Sequence, residues 1–238
     1  MFFQIKIDRS GDYKLLDISG IADEKNIDVW IYDDAGSLTL AYTEWSNDPL
    51  RATALVRQYG VLCKTGALEY RYLGSVRTSA AGETCDTLKK RFCVNYYNQL
   101  PLPFYVHDDT NSWTRTTAAV ETWNNTDDNR IEFIMPVEQG MRATFVGSYT
   151  HANAGYAPGI SIGLDAATSH AQSIACPIIH SAGRKISGIA IYDDFVAEGF
   201  HYLTMLQITT GSGTTNIFYG DDGVPTKCKS SITGVLMG

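Results

Sequence analysis

Apolar residues fall at every second position through most of this 238-residue chain. Residues 27–32, 130–135, 141–150, 159–164 and 188–192 all show the pattern, and the longest run extends from Glu198 to Thr210. A period of two places successive side chains on opposite faces of a strand, whereas a helix needs a period near 3.6. Turn formers separate the runs: Asp33-Asp34-Ala35-Gly36, Asn47-Asp48-Pro49, the cluster 124–129, and Gly211-Ser212-Gly213. Many short strands with turns between them fold as sandwiches or barrels. Coiled-coil heptads, a solenoid repeat and a long amphipathic helix are all missing from the pattern.

The details predict an order of elements. Residues 27–32 and 37–42 read as a hairpin, and 55–64 pairs with 68–78 around Thr65-Gly66. Residues 79–88 are small and polar, which predicts a junction between a small N-terminal β unit over 1–80 and a β-sandwich over 81–238. Thr87 to Lys90 has the makings of a short helical turn. Pro101-Leu102-Pro103 marks a break or an edge strand, because proline cannot donate to a ladder. Residues 231–238 read as a closing apolar strand that needs cover from its own sheet or from a symmetry mate.

Composition narrows the functional classes. Hydrophobic residues are 44% and charged residues 19%, enough for a sizeable core. A net charge of -7 argues against a nucleic-acid partner, since phosphate binding needs clustered Lys and Arg. No apolar run is long enough to span a bilayer as a helix. The start, Met1 to Asp8, has no basic leader and reads as an immediate strand, so synthesis and assembly in a cytoplasm are expected. The five cysteines, Cys63, Cys85, Cys93, Cys176 and Cys228, have neither the number nor the spacing of a disulfide framework or a zinc site.

Two segments carry a family resemblance: Tyr72-Leu73-Gly74-Ser75-Val76-Arg77-Thr78 and Arg91-Phe92-Cys93-Val94-Asn95-Tyr96-Tyr97-Asn98. Ser112-Trp113, Ile162-Gly163-Leu164-Asp165 and Glu198-Gly199-Phe200-His201-Tyr202 support it. The chain resembles a module of tailed-bacteriophage virion surface proteins, of the head-decoration and tail-fibre type. The resemblance implies a jelly roll similar to the tumour necrosis factor class, a homotrimer, and no enzymatic activity or cofactor. It implies a place on the virion surface, with the major capsid protein or another virion protein as partner. A capsid cement is the leading expectation, and a tail-fibre module binding host glycan is the alternative. On the long strand Tyr202, Leu206 and Ile208 share one face. With Val235 and Met237 of the closing strand, they are the trimer-interface candidates. Tyr96, Tyr97, Trp113 and Trp123 are the candidate glycan contacts, because aromatic faces stack on sugars.

Other signals read as structure. The Asp doublets at 33–34, 108–109, 127–128 and 221–222 sit where Asp stabilises turns, and 193–194 reads as a strand end. Asp127-Asp128 is the best calcium candidate among them. Gly159-Ile160-Ser161-Ile162-Gly163 matches the letters of a nucleophile elbow, but β-branched neighbours on both sides of Ser161 predict a strand. His201 reads as a packed or interface residue.

Overall fold

The computed structural model describes residues 2–6, 13–172, 174–175, 179, 181–211, 213–223, 226 and 228–237. Cys176, His180, Ser212 and the final residue of the closing strand lie outside them. The N-terminal elements are β1 (Phe2–Lys6), β2 (Tyr13–Asp17), β3 (Asn26–Asp34), β4 (Ser37–Glu44) and β5 (Leu55–Gln58). They continue with β6 (Val61–Lys64), β7 (Ala67–Ala80), β8 (Glu83–Thr84), β9 (Lys90–Arg91) and β10 (Cys93–Asn95). The second half begins with β11 (Pro101–His107), β12 (Trp113–Arg115), β13 (Ala119–Thr122), β14 (Arg130–Met135), β15 (Gln139–His151) and β16 (Gly159–Leu164). It ends with β17 (Ile174–Ala175), β18 (Ile186–Val196), β19 (Gly199–Thr209), β20 (Asn216–Tyr219) and β21 (Ser231–Met237). Helical structure among the described residues is limited to two 3-10 turns, Trp123–Asn125 and Asp127–Asn129. Among the described residues no helix is long and apolar enough to cross a membrane.

The N-terminal sheet runs β4-β3-β7-β6-β5, with β8 and β10 also paired to β7. The expected 27–32 and 37–42 hairpin is β3–β4, with Ile31 opposite Leu40. Residues 55–64 are two strands where the alternation suggested one. Gln58 pairs with Val61, so Tyr59-Gly60 is a two-residue turn, and both of its residues have positive φ. Such a turn matches the twist of its flanking strands, but it favours Asn or Gly over Tyr at its first position, which is why the sequence hides it. One face of the sheet packs Ile27, Val29 and Val76 against Leu16, Ile18 and Ile21 from β2 and the segment after it. The other buries Trp30, Leu62 and Tyr72.

The second half is a jelly roll. One sheet has the order β11-β21-β15-β18, with β20 and β12 extending it along the later half of β15. The other has β14 and β13 end to end along one edge of β19, and β16 then β17 on its other side. From β14 to β20 the chain crosses between the two sheets at each step except β16–β17, as in a jelly roll. Alternate residues from both sheets fill the space between them, among them Phe133, Phe145, Ile160, Tyr192, Met205 and Ile232. The fold class expected from the sequence is thus the one observed.

Local chemistry explains the departures. Residues 87–90 form a bend, in which the Lys90 amide donates to Thr87 Oγ1 at 3.0 Å. Pro101 and Pro103 sit within β11, which is tolerated because β11 is an edge strand paired only through β21. The division at residue 80 falls in an interleaved stretch: β8 and β10 return to β7, while β9 between them pairs with β14 of the jelly roll. The closing strand β21 lies between β11 and β15, so its own sheet supplies its edges.

Candidate functional site

A dense polar cluster lies between the N-terminal sheet and the jelly roll. Asp28 on β3 is buried, and its carboxylate accepts from Trp45 Nε1 at 2.9 Å, Ser75 Oγ at 2.8 Å and Arg51 Nε at 2.9 Å. Arg51, in the turn after β4, also donates to the Pro136 carbonyl at 2.6 Å and to Glu198 at 2.6 Å, both in jelly-roll turns. Its guanidinium stands 4.5 Å from the Trp45 ring centre. Beside it Arg77 pairs with Asp48 at 2.7 Å and lies 3.7 Å from the ring centre of Phe200 at the start of β19. Burial, and then the Asp28 charge, push the Tyr72 hydroxyl well above the ordinary phenol range, so it stays neutral. Arg51, Asp28 and Tyr72 are closed to solvent, so no substrate reaches them. The cluster clamps the N-terminal sheet to two turns of the jelly roll.

The outer face of the β18–β15–β21–β11 sheet is a different kind of surface. An antiparallel sheet with one wet face normally shows polar residues there. Here Ile189, Phe195 and Val235 are 59%, 70% and 43% exposed. The register places Val146 opposite Ile189, Gly140 opposite Phe195, and Arg142 between Asp193 and Val235. Arg142 Nε and Asp193 Oδ2 are 3.9 Å apart. Gly140 leaves the row open beside Phe195, producing a shallow groove of about 510 Å³ lined by Arg142, Asp193, Phe195 and Val235. The groove is open to solvent and mixes apolar Phe195 and Val235 with the charged Arg142, Asp193 and Asp194.

The residues singled out from sequence disperse over the fold. Trp123 is fully buried with its ring against Phe145 and Phe218, so it cannot be a glycan contact. Alternation and turn signals could not show this, because Trp123 follows β13 in a 3-10 turn that swings it into the core. Trp113 is half-buried on Trp123, with Nε1 donating to Gln207 at 2.7 Å. Tyr96 and Tyr97 stay together on the N-terminal unit. Tyr96 accepts from Arg57 at 3.0 Å, Tyr97 accepts from the Leu62 amide at 3.0 Å, and Tyr97 is 50% exposed.

The interface candidates divide in the same way. Leu206 is fully buried in its own protomer, under the segment that follows β16, which also approaches Gly163. It therefore has no surface for a neighbour, a correction to the expectation from alternation. Tyr202 and Ile208 are half-buried, and Arg130 covers the Tyr202 ring at 5.0 Å. Val235 and Met237 lie on the exposed face described above. Phe195 and Ile189 went unselected, although the apolar residues on both faces of residues 188–196 were a readable sign.

The remaining chemical signals resolve into structure. Ser161 sits fully buried inside β16, as its β-branched neighbours predicted. Asp128 faces Lys89 at 3.2 Å and Asp127 faces Arg130 at 3.7 Å, so cationic side chains occupy the calcium candidate. Among the described residues no group of three or more His, Cys, Asp or Glu is placed to hold a metal. Asp33 and Asp221 accept from the amides of Gly36 and Gly223 as turn residues. Asp193-Asp194 lies within β18, which continues to Val196. His201 packs over Phe133, and its ring nitrogens lie 2.7 Å from Asp165 Oδ2 and 3.1 Å from the Ala197 carbonyl.

No protein-family model and no curated protein matches the chain. Among solved structures it is similar to the C-terminal domain of EclA, described as a sugar-binding protein. That match has 11% identity and a TM-score of 0.29 over 48% of this chain and 77% of that one. It is also similar to a structure of infectious bursal disease virus, Gt strain, with 7% identity and a TM-score of 0.36 over 97% of this chain and 63% of that one. A third is the insecticidal delta-endotoxin Cry8Ea1 from Bacillus thuringiensis, at 7% identity and a TM-score of 0.27 over 98% of this chain and 45% of that one. The chain spans less than two thirds of the viral and toxin chains. At these values the likenesses carry nothing about what this chain binds.

Proposed function

We propose that this chain is a non-enzymatic structural protein of a phage virion, a homotrimer that decorates the capsid and cements neighbouring capsomers. The observation that carries the reading is the exposed apolar face of the β18–β15–β21–β11 sheet. It suits a protein whose work is area burial: separating the contacts exposes apolar surface and breaks many weak interactions together. The Arg51 clamp suits the same role, because a cement must transmit load without its two units parting. The major capsid protein is the partner in this reading, and the virion surface is its location.

A tail-fibre module that binds host glycan is the second reading. Tyr59, 98% exposed at the β5–β6 turn, and Tyr97, 50% exposed on the same unit, favour it, since exposed tyrosines present flat amphipathic rings. Gold-labelled antibody against the chain, applied to intact particles, tests both readings. Label over the whole head supports the cement. Label confined to the tail tip overturns it in favour of the glycan-binding module, and absence of label from particles removes both.

A further inference from the structure

We infer that copies of this chain meet through the outer face of the β18–β15–β21–β11 sheet, with Arg142 of one copy pairing with Asp193 of the next. The inference rests on the proposed assembly role and adds to it a two-fold contact, through this face, between copies in neighbouring trimers. The sandwich has two outer faces, and its own chain closes part of one of them. On the β19 sheet the segment after β16 buries Leu206, while on the other sheet Ile189, Phe195 and Val235 stand open. An apolar sheet face left open in this way marks a protein contact.

Three features select a second copy as the occupant. First, the face carries a cation and an anion in one register row. Arg142 and Asp193 are 66% and 67% exposed and only loosely engaged with each other at 3.9 Å. A row that holds both signs is complementary to itself, so each Arg142 finds an Asp193 when two copies face each other. The adjacent Asp194 is already held by Gln172 Nε2 at 3.0 Å and the Phe195 amide at 2.8 Å. Second, the net charge of -7 opposes the approach of two copies over most of the surface. Arg142 offsets the charge of Asp193 in this row, so the repulsion between copies is reduced there. Third, the dimensions fit. Four strands about 4.8 Å apart and roughly seven residues long, at about 3.4 Å each, make a face of roughly 19 by 24 Å. Burying it on both copies removes roughly 900 Å² in all, the size of a weak, reversible contact. The gap at Gly140 gives an aromatic ring from the neighbour a place to sit.

Sedimentation equilibrium of the full chain tests this, with near-ultraviolet circular dichroism to verify that each variant is folded. The wild type is expected to self-associate, and Phe195→Asp to raise the dissociation constant about 100-fold. Arg142→Asp and Asp193→Arg are each expected to weaken association about tenfold, and the double variant to recover to within about threefold of wild type. Association unchanged in Phe195→Asp would overturn the face and leave the assembly role standing. Single swaps that weaken association without recovery in the double variant would overturn the Arg142–Asp193 pairing. A wild type that stays monomeric at about 100 µM would overturn the face and the assembly role together.

Discussion

Replacing Arg51 with Met should separate structural coupling from surface decoration. The substitution keeps much of the aliphatic packing and removes the charge. Asp28, with a side chain 2% exposed, then loses its counter-ion and the donor on Oδ2, but keeps Trp45 and Ser75 on Oδ1. Removing one member of a buried pair costs about 3–5 kcal/mol. The lost Glu198 contact adds little, because that carboxylate is 43% exposed. For a chain of this length each kcal/mol lowers Tm by about 2–4 °C, so a fall of roughly 6–20 °C is expected. The double variant Arg51→Met, Asp28→Leu removes both charges. Ser75 then still has Tyr72 at 2.6 Å, and beyond the Pro136 carbonyl, which both variants leave without Arg51, only Trp45 Nε1 is newly stranded, at a cost of about 1–3 kcal/mol. The double variant should therefore be more stable than the single one. Guanidinium unfolding followed by tryptophan fluorescence and far-ultraviolet circular dichroism measures both. A single variant within about 1 kcal/mol of wild type, or a double variant less stable than the single, would refute the clamp.

Three further outcomes follow from other parts of the fold. Glu132 is opposed by burial, but the hydrogen bond from Arg130 and the charges of Lys90 and Arg130 outweigh it and lower its pKa. A lowered folded pKa adds stability that is present above the unfolded value of about 4.3 and is lost as pH falls through the folded value. Glu132→Gln should therefore melt below wild type at pH 7, with the gap closing in acid; an equal gap at about pH 3 counts against the pairing. Burial pushes the Cys93 thiol up to about 11. With the other cysteines replaced, it should react with a disulfide reagent at pH 8 a few hundred-fold more slowly than free cysteine, whose pKa is about 8.5; a rate within tenfold of free cysteine contradicts that. A Cβ at Gly74 would lie 2.0 Å from the Val94 carbonyl oxygen on β10, a backbone atom with no rotamer to yield. Gly74→Ala should cost about 3 kcal/mol, at the upper end of overpacking effects, and unchanged chemical denaturation would show that β10 moves freely.

Much of the architecture was legible because alternation is local. The hairpin at residues 27–42, the strands 130–135, 159–164 and 188–192, and the long strand after Glu198 appear where the period of two put them. The site was less legible. Leu206 and Val235 have the same alternating signature, yet one is sealed by its own chain and the other is open. Trp123 looks like a surface aromatic until its 3-10 turn is seen to aim inward.

The chain's own residue order determined that it makes sheets, where most of its turns lie, and which residues of each strand share a face, because those properties need only neighbours along the backbone. Tertiary structure decided which faces are closed. Arg51 became the clamp because folding brought Asp28, Pro136 and Glu198 around a turn that the sequence marks only as a break. Phe195 was left 70% exposed, although Gln172 reaches the neighbouring Asp193 and Asp194 from another part of the chain. Burial depends on segments far apart in sequence, and no local pattern encodes it.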